Sequence, residues 1–200
     1  MKKKKNIKII IGSNNTGKIK EIIDLLPKKI VFYTPKQLNI KSPKETGKTF
    51  KENSIIKAKF FSKKSQMTCI ADDSGLEINM LGGKPGIYSA RWGGKKNNFN
   101  LAIKKVYRRL NSADLNWYNK KVKAKFICAL TIYWTNKKYV TSTGVVNGRI
   151  SKIKKGKNGF GYDPIFIPDG SNLTFGQMLP NIKHKIDHRA KAFRKIKKFF

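Results

Sequence analysis

An apolar run at the start of the chain passes through a polar loop into an amphipathic segment, and this order constrains the fold more than any other feature. Asn6–Ile11 is predicted to be a buried strand, and Gly12–Lys18 is a turn of small and polar residues. Isoleucines and leucines then recur at helical spacing until Pro27, which predicts a helix. A strand that feeds a helix through a short loop is typical of α/β proteins.

The later segments alternate between strand and helix patterns without a regular repeat. Predicted strands are Ile30–Tyr33, Thr68–Asn79 with a tight turn at Asp72–Gly75, and a long hairpin of Val122–Trp134 and Tyr139–Val146. Predicted helices are Thr49–Lys64, Asn98–Leu110, a short helix opening at Thr174, and His188–Phe199. Gly156–Asp169 is predicted to be a glycine-rich, aromatic loop. We therefore expect one α/β domain over residues 1–200, with a mixed sheet flanked by helices.

The charge balance is strongly basic. Lys and Arg number 45 against 11 Asp and Glu, a formal net charge of +34, whereas a hydrophobic content of 39% excludes disorder as the default. Such a charge suggests a polyanionic partner. The lysines are scattered from Lys2 to Lys198 among abundant Asn, Ile and Phe, a composition that AT-rich codon usage would also produce. This scatter favours a solvated surface, so we do not expect nucleic acid binding to be more than incidental.

Cys69 and Cys128 lie in apolar runs without metal-ligand spacing, which favours buried free thiols and a reducing compartment. No apolar stretch approaches a membrane span, and Ile7–Ile11 is too short for the core of a signal peptide. We expect a cytoplasmic protein without membrane association.

The loop Gly12–Lys18 is a candidate anion site. It carries hydroxyls, amides and a lysine where a strand meets a helix N-terminus, and backbone amides and the helix dipole favour an anion there. The segment fits the first part of a Walker A motif, but Ile19 stands where Ser or Thr would ligate magnesium. An ordinary helix cap followed by an exposed lysine explains the loop equally well.

Acidic residues are sparse, yet Asp72, Asp73 and Glu77 lie within six positions. Adjacent carboxylates repel unless a cation lies between them or one keeps its proton, and magnesium prefers one or two carboxylates with water and phosphate oxygens. A turn in which Asp72 or Asp73 caps backbone amides is the alternative. Glu52 is assigned to a capping box with Thr49, whereas Glu45 has no such local role and is predicted to be a further metal ligand.

Together these segments resemble the inosine/xanthosine triphosphate pyrophosphatases, the Ham1-like family. The matching motifs occur in family order and span nearly the whole chain: Ser13–Lys18, Glu45–Gly47 through Lys57-Ala58, Ala71–Glu77, Pro85–Trp92, Gly159–Phe166 and His188–Ala190. The resemblance implies an elongated Ham1/Maf-like mixed sheet with a central substrate cleft, and a homodimer. It also implies hydrolysis of non-canonical purine nucleoside triphosphates such as ITP, dITP and XTP to a monophosphate and pyrophosphate, with Mg²⁺ as cofactor.

The resemblance also assigns roles to individual residues. Asp73 is the general base and a magnesium ligand, supported by Glu45 and Asp72. The residues expected to contact substrate are Ser13, Asn14, Asn15, Thr16, Gly17, Lys18, Lys57, Ser74, Phe160, Gly161, Tyr162, Asp163, Lys183, His188 and Arg189.

Base selectivity is the least determined part of this assignment. Asp187 stands where the family favours Ser, and Gln177 stands where an acidic residue is common. Donors on His188 and Arg189 would favour a 6-oxo purine over adenine. Either Phe160 or Tyr162 could stack on the base or pack in the core.

Overall fold

A computed structural model describes residues 7–94 and 97–200; the predicted strand residue Asn6 and the basic start at Met1–Lys5 lie outside this range. The central element is a six-stranded sheet with the order β2-β1-β3-β4-β5-β6. The strands are β1 (Lys8–Ile11), β2 (Val31–Tyr33), β3 (Thr68–Ile78), β4 (Lys123–Tyr133), β5 (Tyr139–Ile150) and β6 (Phe166–Pro168).

Five α-helices accompany the sheet in the described ranges: α1 (Thr16–Leu25), α2 (Phe50–Ser65), α3 (Phe99–Ala113), α4 (Pro180–Ile186) and α5 (His188–Ile196). Thr49 and Asn98 cap α2 and α3 with their side-chain oxygens, as polar residues ahead of an apolar-periodic segment predict. Across residues 7–94 and 97–200, no helix is both long and apolar enough to cross a membrane.

The sheet is mixed, as the irregular order of elements predicts. β1 pairs in parallel with both β2 and β3, whereas β5 and β6 are antiparallel. β4 and β5 are neighbours joined by the short turn 134–138, where Trp134 N donates to Lys138 O at 2.9 Å. A connection of this length joins antiparallel strands, so the predicted long hairpin is confirmed.

The chain divides into two compact units. Unit 1 comprises residues up to Asp73, Ala129–Thr143 and Arg189–Phe200; unit 2 comprises Ser74–Cys128 and Gly144–His188. The core of unit 1 includes Ile10, Phe61 and Cys69. The core of unit 2 is built from α3, β4 and the aromatic segments after β5. Strands β3, β4 and β5 contribute residues to both units.

Three local expectations were wrong. β3 runs without interruption through Asp72–Gly75, so there is no turn at the paired aspartates. Thr174 does not open a helix: its amide donates to Gln177 Oε1 at 3.1 Å in a turn, and α4 begins at Pro180. The loop predicted at Gly156–Asp169 contains β6, a short strand that only its pairing to β5 makes recognisable.

Candidate active site

The loop between β1 and α1 packs closely against β3. A Cβ atom on Gly12 would lie 2.8–2.9 Å from side-chain atoms of Phe61, Ala71 and Cys69, so only glycine fits there. The Gly12 amide donates to Ile70 O at 2.7 Å. The loop is therefore fixed beside the strand that continues into the two aspartates.

The helix-cap interpretation of this loop holds in part. Asn15 Oδ1 accepts from the Lys18 amide at 3.0 Å and caps α1, while Ser13 Oγ accepts from the Asn15 amide at 3.1 Å. Lys18, however, is not an exposed lysine: its ammonium lies 3.3 Å from Asp72 Oδ2, and its side chain is 15% exposed. The helix cap thus directs a cation to the acidic centre.

A cavity of about 680 Å³ lies beside the same loop within unit 1. Asn14 and Thr16, two of the predicted substrate contacts, line it together with apolar residues that include Ile19 and Phe32. Asn14 Nδ2 also donates to Ser42 Oγ at 2.9 Å. Open space therefore adjoins the polar side of the loop.

Asp72 and Asp73 have separate partners because successive side chains on a strand point to opposite faces. Asp72 is fully buried and accepts from Arg189 Nη2 at 2.7 Å, in addition to its pairing with Lys18. Burial opposes ionisation of Asp72, but Lys18, Arg189 and Lys57 together hold its pKa well below the usual range. The expected repulsion between adjacent carboxylates is thus relieved by a cation at each.

Glu21 is a charged residue of this network that the sequence analysis did not single out. It is buried on α1, and its carboxylate accepts from Arg189, whose side chain is wholly buried. Glu21 lies three residues after Lys18 and hence on the same face of α1. This spacing was the one sequence signal that Glu21 lies near the predicted site. Its partner is 168 positions away, and no local pattern indicates such a pairing.

Asp73 shares a lysine with Glu45. Lys57 Nζ lies 2.7 Å from Glu45 Oε1 and 3.3 Å from Asp73 Oδ1. Burial alone would lower the pKa of Lys57, but Asp73, Asp72 and Glu45 raise it above its ordinary value. Burial raises the pKa of Asp73, an effect that Lys57 and Lys18 oppose and that Glu45 and Asp72 reinforce. Two predicted metal ligands therefore meet at one ammonium group.

The second oxygen of Asp73 is buried, and no hydrogen-bond partner for it exists among the described residues. An ionised buried oxygen without a partner is costly, and a bound cation would satisfy it. The oxygen-rich pair of Glu45 and Asp73 suits a hard divalent ion such as magnesium. Asp72 fits such an ion less well, since Arg189 and Lys18 already bind it.

The first turn of α2 holds the loop that carries Glu45. Asn53 Oδ1 accepts from the Gly47 amide at 2.8 Å, and Glu52 Oε2 accepts from the Lys48 amide at 2.6 Å. The Thr49 cap is confirmed at 3.1 Å from the Glu52 amide, but Glu52 returns to Lys48 rather than to Thr49 as a capping box would. Asn53, which lies one helical turn before Lys57, was not predicted to have a role.

The remaining residues of β3 belong to unit 2. Ser74 is half-buried and directly follows Asp73 along the strand. Glu77 Oε2 pairs with Lys125 Nζ at 3.2 Å. Glu77 is close to Asp72 in sequence, but this pairing gives no reason to include it in the candidate metal site.

A second group of predicted substrate residues is organised around Asp163 in unit 2. Asp163 Oδ2 accepts from the Phe160 amide at 2.8 Å and from Lys183 Nζ at 2.6 Å. A Cβ on Gly159, where φ is +70°, would collide with that oxygen. Gly161 also has a positive φ, of +67°. The glycines therefore let the loop wrap around one buried carboxylate.

The aromatic residues of this loop differ in accessibility. Tyr162 is 2% exposed, lies in the core of unit 2, and donates its hydroxyl to Ser89 O at 2.8 Å. Phe160 is half-buried, with the Lys183 ammonium 5.2 Å from its ring centroid. Of the two rings, only Phe160 retains accessible surface for stacking.

His188 and Arg189 are adjacent in sequence but have different surroundings. The His188 ring stacks on Phe126 within unit 2, with centroids 4.8 Å apart and planes at 9°. Arg189 points to the carboxylates of Glu21 and Asp72 in unit 1. The two residues that differ from the family pattern both have defined surroundings. Asp187 is buried, and the side chain of Gln177 accepts from the Thr174 amide in a turn.

Comparison with known proteins identifies the family of this chain. The family model described as the Ham1 family matches residues 9–199. A dITP/XTP pyrophosphatase from Caulobacter vibrioides is 42% identical over 190 residues, which cover 95% of this chain and 96% of that protein. A HAM1 protein from Coxiella burnetii has a similar structure, with a TM-score of 0.85, 34% identity, and coverage of 96% and 98% of the two chains.

A Ham1 protein from Staphylococcus aureus has a TM-score of 0.80 at 34% identity, covering 96% of this chain and 97% of that one. The α/β fold with its mixed sheet and the sequence motifs are thus both those of Ham1 proteins. This chain belongs to the Ham1 family.

Proposed function

We propose that this protein is a magnesium-dependent nucleoside triphosphate pyrophosphatase that hydrolyses ITP, dITP and XTP to the monophosphate and pyrophosphate. Membership of the Ham1 family and relatives named dITP/XTP pyrophosphatase support the substrate class. The observation that carries the chemistry is the pairing of Glu45 and Asp73 at Lys57, with one buried Asp73 oxygen left for a further partner.

Glu45 and Asp73 would hold the metal, and Asp72 would support the site through Lys18 and Arg189. A magnesium ion bound there supplies positive charge that lowers the cost of bringing an anionic triphosphate and a nucleophile together. Lys57 already binds both carboxylates, so it is placed to neutralise them and, after reorientation, to contact a phosphate oxygen. Lys18 adds a second positive charge at the start of α1.

Asp73 would accept a proton from a water molecule as the water oxygen bonds to the α-phosphorus. The bond between that phosphorus and the α–β bridging oxygen breaks, and pyrophosphate leaves with the electron pair. Burial raises the pKa of Asp73 and makes its carboxylate a better proton acceptor. General-base assistance of this kind typically contributes about 10²- to 10⁴-fold to the rate.

The residues around Asp163 would recognise the base. A 6-oxo purine presents an acceptor where adenine presents an amino donor, and mismatched buried polar groups can discriminate by about 10⁴-fold or more. His188 is the stronger candidate donor, because Arg189 is bound to Glu21 and Asp72. Phe160 would supply the stacking surface, and the Lys183–Asp163 pair would hold its loop in place.

Product analysis tests the reaction. With ITP and Mg²⁺, we expect pyrophosphate and inosine monophosphate in equal amounts, and in ¹⁸O-labelled water the label should enter the monophosphate. Orthophosphate as the first product would exclude a pyrophosphatase. Label in pyrophosphate would instead show attack on the β-phosphorus.

Substitution tests the assignment of the base. Asp73→Asn should lower kcat by about 10²-fold or more, because the amide cannot accept the proton. Asp24→Asn is the matched control, since it makes the same chemical change at an exposed carboxylate of α1. Unchanged thermal stability in both variants would separate catalysis from folding. Wild-type turnover in Asp73→Asn would reject the role of Asp73.

Two further properties belong to this proposal. Homodimer formation is expected from the family resemblance and is measurable by light scattering coupled to size exclusion. A cytoplasmic location agrees with Cys69 and Cys128, which are buried free thiols. A monomer at micromolar concentration would contradict the first expectation.

A further inference from the structure

A basic and aromatic surface lies within unit 1, away from the carboxylates of the candidate active site in sequence. It consists of residues 134–143, which form the β4–β5 turn and the start of β5, and residues 191–200 at the end of α5; we call these two segments the basic-aromatic patch. Trp134 and Phe199 meet edge to face, with ring centroids 5.6 Å apart. Lys195 Nζ donates to Thr143 O at 2.7 Å, and Ser142 Oγ donates to Ala192 O at 2.8 Å. The fold thus joins two segments about fifty residues apart in the chain.

The charge of the patch is of one sign. Neither segment contains Asp or Glu, whereas the first contributes Lys137 and Lys138 and the second contributes five cations. Six of these side chains are exposed: Lys137, Lys138, Arg194, Lys195, Lys197 and Lys198. Lysines that look scattered in the sequence are therefore concentrated here, in a protein whose formal net charge is already +34.

Exposed aromatic rings accompany these cations. Tyr139 is 53% exposed and lies parallel to Tyr133, with centroids 6.1 Å apart and planes at 6°. Phe199 is 44% exposed, and the Lys198 ammonium lies 5.4 Å from its ring centroid. Large exposed rings beside lysines are the combination that binds unpaired bases together with their phosphates.

We propose that the basic-aromatic patch binds single-stranded nucleic acid without sequence specificity. The cations neutralise the phosphates, and Tyr139 and Phe199 offer faces on which bases stack. A duplex would use the charge but not the rings, because its bases are already stacked on each other. The interaction is independent of the proposed pyrophosphatase reaction, since none of the patch residues is assigned to substrate or metal.

The charge predicts a definite salt dependence. For single strands, the slope of log K against log salt is about −0.7 per phosphate neutralised, so six cations give about −4. Affinity should then fall roughly 300-fold between 50 and 200 mM salt. Removal of four of these cations should reduce the loss over the same range to roughly 7-fold.

The test is fluorescence anisotropy with a labelled 20-mer of thymidine, titrated with the full chain at several salt concentrations. The patch variant replaces Lys137, Lys138, Lys197 and Lys198 by Gln. The control variant makes the same substitution at four exposed lysines of unit 2, Lys104, Lys121, Lys123 and Lys152, and so has the same net charge. A third variant, Tyr139→Ala, removes a stacking surface without any change in charge.

We expect the patch variant to lose most of the salt dependence, the control variant to retain it, and both to keep ITP hydrolysis. Tyr139→Ala should weaken binding roughly 5-fold or more with an unchanged slope. Equal weakening in the patch and control variants would overturn the proposal in favour of net charge alone. Loss of binding in Lys57→Gln would overturn it by moving the contact to the candidate active site. Binding to anionic phospholipid vesicles without binding to the oligonucleotide would replace it with a membrane surface.

Discussion

Arg189 offers the most direct test of how the acidic centre is held together. Its guanidinium is wholly buried and bonded to two carboxylates, those of Glu21 and Asp72, which are themselves 5% and 0% exposed. Arg189→Met keeps an apolar side chain in place but leaves Glu21 without this cation. Asp72 retains Lys18 at 3.3 Å. Both carboxylates therefore lose their bond to the buried guanidinium.

Breaking a buried ion pair by removing one partner typically costs about 3–5 kcal/mol. For a chain of this size, each kcal/mol shifts the melting temperature by about 2–4 °C, so the expected loss is roughly 6–20 °C. The assays are thermal and urea unfolding without substrate or metal, followed by circular dichroism. Arg194→Met is the matched control: it removes an exposed arginine of the same helix and should change stability by less than about 0.5 kcal/mol.

The double variant Glu21→Gln/Arg189→Met separates charge from packing. The amide introduced by Glu21→Gln carries no charge to bury, so the double variant should be more stable than Arg189→Met alone even though it has one more substitution. A loss below about 1 kcal/mol in the single variant would refute the reasoning. So would a double variant that is no more stable than the single one.

Three further changes address the supports of the site. Thr49→Ala removes the cap of α2 and should lower the unfolding free energy by about 1 kcal/mol, whereas the exposed Thr135→Ala should leave urea unfolding unchanged. Asn53→Ala frees the Gly47 amide and so loosens the Glu45 loop; it should raise the Mg²⁺ concentration required for half-maximal ITP hydrolysis, and an unchanged Mg²⁺ requirement would contradict this role. Burial raises the pKa of the Cys69 thiol, so only the unfolded chain ionises it as pH rises past the ordinary thiol pKa of about 8.5. The free energy of unfolding should therefore fall by up to about 1.4 kcal/mol per pH unit. Cys69→Ala should flatten that fall in urea titrations between about pH 8.5 and 10.

The elements that the sequence predicts well are those determined by local chemistry. Asn98 and Thr49 cap helices through their own side chains, and Pro27 follows the end of α1, so each boundary is encoded within a few residues. The β4–β5 hairpin is likewise a local structure. The mixed sheet was predictable because the order of strands and helices already limits the topology.

Features that depend on distant residues were not predictable. β6 is three residues long and is defined by its pairing with β5. The predicted helix at Thr174 is replaced by a turn, in which the Thr174 hydroxyl donates to Lys155 O, 19 residues earlier in the chain. The turn proposed at Asp72–Gly75 was inferred from polar residues and a glycine. In the fold, Lys18 of α1 and Lys57 of α2 pair with the aspartates, which remain within a strand.

The same limit applies to the site. Lys18 and Lys57, which the motifs single out, pair with the adjacent residues Asp72 and Asp73 in unit 1. No local pattern indicates that Arg189 is held by Glu21, since the interaction joins the two ends of the chain. The individual substrate and metal assignments remain predictions.

The path of the chain through the two units limits how the protein can be altered. The backbone crosses the unit boundary four times, after Asp73, Cys128, Thr143 and His188. No single cut in the gene therefore yields either unit as an intact fragment. Because each unit consists of separate segments, neither can be moved into another protein or acquired by fusion as one continuous piece. Recombination between homologous genes will preserve them only when both parents contribute compatible versions of β3, β4 and β5.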